Sequence, residues 1–369
     1  MTEWKQTTLG EVLNFQRGFD ITRTSQRPGR IPVVSSGGTG SYHDTAAATG
    51  PGVVIGRKGT LGKTYFLPGN YWPHDTTLWV QDFKGSHPRF VYYFMSQLDV
   101  SWLDAGSANP TLNRNHLHPL SVVWPPVAAQ AAIAEVLGAL DDKIAANTKL
   151  AATANELAGH VYDAATAHLG SLAMSDVLTP VLGGTPARGV DEFWGGSALW
   201  ASAKDVTGAN YAVILDTQEK ITERATIRTK AKPLPSGSVI LTARGTVGAV
   251  ARLARPSAFN QSCYGFVPEA LPAGVLYFSI LRAAERAKSI AHGSVFDTIT
   301  MKTFQHLNIP DFAETASDVE TRLEPLLDTV TQKIVENSQL AATRDALLPH
   351  LMSGKLQVQE AEQTVGALT

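Results

Sequence analysis

Eleven residues occur twice in this chain. Residues 143–153 read KIAANTKLAAT, and 190 positions later residues 333–343 read KIVENSQLAAT. Seven of the eleven positions are identical: Lys143/Lys333, Ile144/Ile334, Asn147/Asn337, Leu150/Leu340, Ala151/Ala341, Ala152/Ala342 and Thr153/Thr343. A repeat with a period of about half the chain constrains the architecture before any local reading, because it requires two like units. Such a molecule offers two like surfaces to whatever it meets.

Both copies sit in a helical pattern. Ile133, Leu137, Leu140, Ile144, Asn147, Ala151, Ala154, Ala158 and Val161 recur at alternating spacings of 4 and 3, which is a heptad seam. Leu323, Leu327, Val330, Ile334, Asn337, Ala341, Arg344, Leu348 and Leu351 repeat those spacings. Asn147 and Asn337 fall on equivalent seam positions, where a buried Asn can fix helix register at some cost in stability. Pro125-Pro126 precedes the first helix, where proline is tolerated. Pro325 and Pro349 predict a kink or fraying in the second, and Gly354 predicts its stop. Each helix of about 35–40 residues is roughly 50–60 Å long at ~1.5 Å per residue. If the second returns along the first, the pair is antiparallel.

A chain of 369 residues with 44% hydrophobic content is long enough for two domains with cores of their own. No apolar run reaches the ~18 residues of a membrane span, and the start, MTEWKQTTLGEV, lacks a signal-peptide pattern. The expected location is the cytoplasm. The single cysteine, Cys263, excludes an intramolecular disulfide and a multi-cysteine zinc site. The net charge of −2 does not advertise nucleic-acid binding, but its distribution is uneven. Residues 1–125 carry 11 basic and 8 acidic residues, residues 126–170 carry 2 and 5, residues 171–312 carry 14 and 11, and residues 313–369 carry 4 and 9. Two mildly basic blocks thus alternate with two acidic helices.

The blocks repeat more weakly. Residues 53–62, VVIGRKGTLG, align with residues 239–248, VILTARGTVG. Each reads as a buried strand, a tight Gly turn and an exit into another strand. Gly106-Ser107, Thr111-Leu112, Leu117 and Leu120 align with Gly293-Ser294, Thr298-Ile299, Phe304 and Leu307. Short strands, Gly turns and helices near 90–97 and 275–289 point to α+β blocks.

Enzymatic readings fail on their spacings. Gly62-Lys63-Thr64 ends like a phosphate loop, but Arg57 occupies the upstream glycine position and Ala249 replaces Lys63 in the second copy. Asn109-Pro110-Thr111-Leu112 lacks the second proline and the aromatic residue of an amino-methyltransferase motif, and Pro310-Asp311 lacks nuclease partners. His116 and His118 have no carboxylate or cysteine cluster nearby in sequence, so no metal site is expected.

Taken in order, these segments resemble the specificity subunit of a Type I restriction-modification system. Leu182-Gly-Gly-Thr-Pro186 followed by residues 199–206, LWASAKDV, resembles the opening of a target-recognition domain, with residues 31–37, IPVVSSG, as its looser counterpart. Residues 57–62 and 244–248 resemble the central turn, residues 125–144 the family's helix, and residues 347–356, LLPHLMSGKL, the end of the distal helix. The resemblance implies an α+β fold: two similar target-recognition domains joined by two long antiparallel coiled-coil helices, a pseudo-twofold internal repeat. The expected boundaries are 1–125 and 169–312 for the recognition domains, 126–168 and 313–358 for the spacer helices, and 359–369 for a flexible tail.

The resemblance also implies a job. Each domain would read one half of a bipartite double-stranded DNA target. The helices would set the spacer and dock two modification (methyltransferase) subunits, with restriction/motor subunits joining the complex. The chain would catalyse nothing, touch no membrane and hold no cofactor, S-adenosylmethionine belonging to the partner. The alternative is a protein–protein scaffold of two α+β domains on a coiled coil with no DNA role. The DNA-binding candidates are Arg17, Arg57, Lys58, Lys63, Asn113, Arg114, Arg188, Lys204 and Arg244. Arg and Lys suit phosphates and guanine edges, and Asn suits adenine. Loop capping competes for Asn113, and a solvated hairpin competes for the turn residues.

Overall fold

The structure, a computed structural model, describes residues 4–100, 102, 111–290 and 298–366. The aligned segments at Gly106-Ser107, Asn109-Pro110 and Gly293-Ser294 lie outside the described residues. Contacts divide the chain into two compact units, residues 1–144 with 339–369 and residues 145–338. The division falls inside both long helices, Val127–Thr166 and Ala316–Met352, so each unit contains part of each helix. The second helix is continuous through Pro325 and Pro349.

In the first unit, the seam residues Ile133, Leu137 and Leu140 are buried in one core with Leu340, Leu348 and Leu351. Asp141 faces Arg344 there, Nη1 to Oδ1 at 2.7 Å. In the second unit, Ala154 packs with Val330, and Ala158 and Tyr162 share a core with Leu323 and Leu327. Asn337 Nδ2 donates to Thr148 Oγ1 at 3.1 Å, and the Tyr162 and Phe312 rings lie 6.1 Å apart. Partner numbers fall as central-helix numbers rise, so the helices run antiparallel. The seam shifts by one residue in places: Leu340 is buried where Ala341 was expected, and Tyr162 where Val161 was.

Each unit adds a repeated α+β block. In the first, a four-stranded sheet runs in the order Asn14–Arg17, Thr77–Asp82, Gly52–Gly56, Thr64–Leu67. In the second, the order is Val181–Leu182, Cys263–Phe266, Val239–Thr242, Val250–Leu253, with Val213–Ile214 added at the edge. A three-stranded sheet accompanies each, and both contain one parallel pairing, Val33 with Trp72 and Leu199 with Ser257. The strands that enter the two Gly turns, Gly52–Gly56 and Val239–Thr242, are buried along their whole length, as expected for runs such as VVIG and VILT.

The repeat extends to individual hydrogen bonds. Gly62 N donates to Gly56 O and Gly56 N to Lys63 O; Gly248 N donates to Thr242 O and Thr242 N to Ala249 O. Leu112 N donates to Arg57 O, and Ile299 N to Ala243 O. Leu9 N donates to Leu120 O, and Met174 N to Leu307 O. A sheet-covering helix follows in both, Pro88–Ser96 and Ala273–Ile290. Its first amides are satisfied from a long helix, by Gln130 at His87 N (2.8 Å) and by Glu320 at Gly274 N (2.9 Å) and Val275 N (2.8 Å).

Residues 359–369 were expected to be loose, but Val358–Gly366 is a helix with Ala361 and Val365 buried in the first unit's core. Its apolar pair, four residues apart, finds cover that the short, polar sequence does not advertise. Gly354, at φ +68°, follows the end of the distal helix. Among the described residues, no helix is long and apolar enough to cross a membrane.

The turn glycines give a stability test. Gly59 (φ +76°) and Gly62 (φ +73°) both adopt left-handed backbone, but a Cβ on Gly62 would lie 2.5 Å from Val100 Cγ2, whereas at Gly59 the nearest atom is 3.8 Å away. Both alanine variants should lose about 1–2 kcal/mol for the backbone. Gly62→Ala should lose at least ~1 kcal/mol more for the clash, read from urea unfolding midpoints. Equal losses would mean that Val100 yields freely.

Candidate nucleic-acid interface

In the first block, Arg17 ends one strand and Arg57 follows another, and both reach the loop at Asp75. Arg17 Nη2 donates to Asp75 Oδ2 at 2.9 Å, and Arg57 Nη1 to the Asp75 carbonyl at 3.3 Å. The amides of Arg57 and Lys58 both donate to Thr76 O, at 2.9 and 3.2 Å. Burial first, and the neighbouring Arg17 charge second, hold the Arg57 guanidinium below its ordinary pKa. Three of the sequence candidates, Arg17, Arg57 and Lys58, therefore converge on Asp75-Thr76. Lys63 lies across the turn with Nζ 5.5 Å from the Tyr65 ring centroid. The turn leads into the strand Thr64–Leu67 and not into a helix, so it lacks the helix N-terminus of a phosphate loop.

Asn113 and Arg114 directly follow Leu112, whose amide donates to Arg57 O at 3.0 Å. Asn113 caps the short helix Arg114–Leu117, its Oδ1 accepting from Asn115 N at 3.1 Å. That geometry favours capping over base reading for Asn113, while the exposed Arg114 side chain is available. His118 Nε2 accepts from Phe15 N at 3.2 Å, so this ring serves the backbone. Among the described residues, Asp20, His74 and Asp75 offer ligand atoms within 4.8 Å of one another. Asp75 is already engaged with Arg17 there.

The second block gathers its candidates less tightly. Arg188 forks onto the Glu219 carboxylate, with Nη2 to Oε2 at 2.9 Å, and its guanidinium lies 4.0 Å from the Trp194 ring centroid and 5.2 Å from that of Trp200. Lys204 is exposed on the first turn of the helix Ala203–Gly208. It borders a cavity of about 900 Å³ also lined by Asp205, Tyr211, Thr148 and Asn337. Asp205 accepts from Gln218 N at 3.0 Å, next to the Glu219 that holds Arg188. Arg244 is exposed in the repeated turn. That turn meets the Thr185 segment through Gln261 and Ser262, since Ala243 N donates to Ser262 O and Thr185 Oγ1 to Gln261 Oε1. On the helices, Asn147 is 4% exposed with Nδ2 unpaired among the described residues, and Asn337 bonds Thr148.

A family model described as the Type I restriction modification DNA specificity domain matches residues 1–156 and 176–310. The chain belongs to this family. Its curated relatives include the Type I restriction enzyme MjaIX specificity subunit of Methanocaldococcus jannaschii, 29% identical over 162 residues, which are 43% of this chain and 38% of that protein. The HindI specificity subunit of Haemophilus influenzae is 24% identical over 189 residues, 50% of this chain and 41% of that protein. The matched stretches thus span about two fifths of each relative's length. In fold, the chain is similar to the crystal structure of a Type I restriction-modification S subunit from M. genitalium. The TM-score is 0.68 with 95% of this chain and 96% of that one covered, at 14% identity.

Sequence reasoning missed the acids that hold these arginines. Asp75 and Glu219 are remote in sequence from Arg17 and Arg188, and only the Trp194/Trp200 pair near Arg188 gave any local sign of a stacking platform. It also missed Arg27, which forks onto Asp44 at 2.6 and 3.0 Å. An arginine held this way is unavailable to a phosphate until the carboxylate is displaced, yet its planar fork is already oriented.

Asp44 makes this testable by pH. The Arg27 hydrogen bonds first, and Thr45 second, lower its carboxyl pKa to about 2. A depressed folded-state pKa contributes stability above the usual carboxylate value, and this is lost as pH falls through about 2. The Asp44 carboxyl carbon, followed by NMR, should titrate near 2 and move back toward the usual value, ~3.9, in Arg27→Ala. An unmoved midpoint would show that the fork does not form.

Proposed function

We propose that this chain is the DNA sequence-specificity subunit of a Type I restriction-modification complex. The observation that carries this reading is the repeated Gly turn. It has the same hydrogen-bond frame in both blocks, with Arg57 and Lys58 in one copy and Arg244 in the other. A common scaffold with different residues around it suits two blocks that read two different half-sites. Residues 1–125 and 169–312 act as the recognition domains, and the helices set the spacer and dock two methyltransferase subunits. Restriction/motor subunits join that assembly, and S-adenosylmethionine binds the methyltransferase. Arg17, Arg57, Lys58, Lys63, Arg114, Arg188, Lys204 and Arg244 contact DNA, while Asn147 and Asn337 fix helix register. The chain positions DNA and catalyses nothing itself.

Phosphate contacts give such binding a steep salt dependence, and base contacts give it sequence preference. The chain assembled with its methyltransferase should select a bipartite sequence from a random duplex library, and log affinity should fall linearly with log salt. Equal binding to all duplexes would end the specificity reading and favour a protein scaffold. Inserting four residues beside Asn147, about one helical turn, should change the accepted spacer or abolish binding. An unchanged target would exclude the helices as a ruler.

A further inference from the structure

The central helix carries two glycines in its interior, and each lies under an arginine. In the first unit, Arg89 on the helix Pro88–Ser96 donates to both Asp142 oxygens, Nη1 to Oδ2 at 2.9 Å and Nη2 to Oδ1 at 2.7 Å. Nη2 also reaches the Gly138 carbonyl at 3.1 Å. A Cβ on Gly138 would lie 2.9 Å from Arg89 Cζ. In the second unit, Arg282 on the helix Ala273–Ile290 donates Nε to Asp163 Oδ1 at 2.9 Å and Nη2 to Oδ2 at 2.7 Å. A Cβ on Gly159 would lie 3.2 Å from Arg282 Nη2.

The pattern is the same in both: Gly, three residues, Asp, with the missing side chain leaving a notch for a guanidinium forked onto the acid. Glycine inside a helix is destabilising relative to alanine, and the close arginine supplies a reason for it at both places. Both arginine side chains are largely covered, at 23% and 27% exposure. The internal repeat does not generate this. Its copies are related by offsets near 186–190, whereas the two Gly–Asp pairs are 21 residues apart on one helix. In each unit the arginine comes from the helix that covers that block's sheet.

We infer that these notches are the positioning devices that fix each recognition block on the central helix, and that Arg89 and Arg282 thereby determine how strictly the DNA spacer is read. The inference rests on the specificity reading above for its DNA consequence only. Lysine keeps the charge but loses the planar fork, so Arg89→Lys and Arg282→Lys are the discriminating variants.

Two measurements on the full chain test this. Spin labels at exposed Tyr42→Cys and Glu135→Cys report the first unit, and at Ile227→Cys and Glu156→Cys the second. Cys263 is buried, with its thiol pushed up to about 12, and stays unlabelled. Arg89→Lys should broaden the first distance distribution and leave the second sharp, and Arg282→Lys the reverse. In the methyltransferase assembly, each variant should lose about tenfold in discrimination between spacers differing by one base pair, the order of one mismatched position. Half-site preference should be retained. Distances as sharp as in the parent chain would overturn the docking role, and an unchanged spacer profile would overturn the effect of these arginines on spacer reading. A parent chain that reads no sequence would instead defeat the specificity reading, leaving the docking role to be decided by the distances.

Discussion

A helix of 40 residues persists in water only where its apolar stripe is covered, and everything else in this chain hangs on how that cover is supplied. Within the first unit, Ile133, Leu137 and Leu140 are removed from water by the distal helix and the block's own core. Within the second, Ala154, Ala158 and Tyr162 are covered by Val330, Leu323 and Leu327. Burying a large aliphatic side chain contributes roughly 1.5–3 kcal/mol, so the leucine-rich first stretch is held mainly by packing. The alanine-rich second stretch buries less area per residue. There, Tyr162 adds a ring stacked 5.3 Å from Phe278 and a hydroxyl 2.9 Å from Ser279 Oγ.

Polar groups complete what the seam leaves open. Asp141 accepts from Tyr93 OH at 2.5 Å and from Arg344 at 2.7 Å, joining a block helix and the distal helix through one carboxylate. Arg344 occupies a seam position, and it is tolerated there because Asp141 and Asp345 meet its charge. A partly covered ion pair adds less stability than apolar packing of the same size, but it admits few alternative registers. The same logic applies to Arg89 and Arg282, whose forks demand one orientation.

The DNA candidates follow a different economy of charge. Arg17, Arg27 and Arg188 are each paired with a carboxylate of the same block. Exposed pairs of this kind are weak, about 0–1 kcal/mol, so a nucleic acid could displace them. In the meantime they lower the field that would attract any polyanion. The mildly basic blocks therefore present less free positive charge than their composition alone implies.

The sequence by itself determined the two-unit plan, because the eleven-residue repeat, the heptad spacing and the paired Gly turns are periodic signals that need no tertiary knowledge. It also located Gly62 and Gly248, whose positive φ reflects a local steric rule. It could not place the division between units inside the helices, or the buried helix Val358–Gly366, because both depend on which surfaces meet. Nor could it pair Arg17 with Asp75, Arg188 with Glu219, or Arg89 with Asp142, partners 31 to 58 residues apart in sequence. Nothing in a one-dimensional pattern distinguishes Gly138 and Gly159 from accidental glycines. Only the folded chain, by bringing an arginine over each, gives the missing side chain a physical reason.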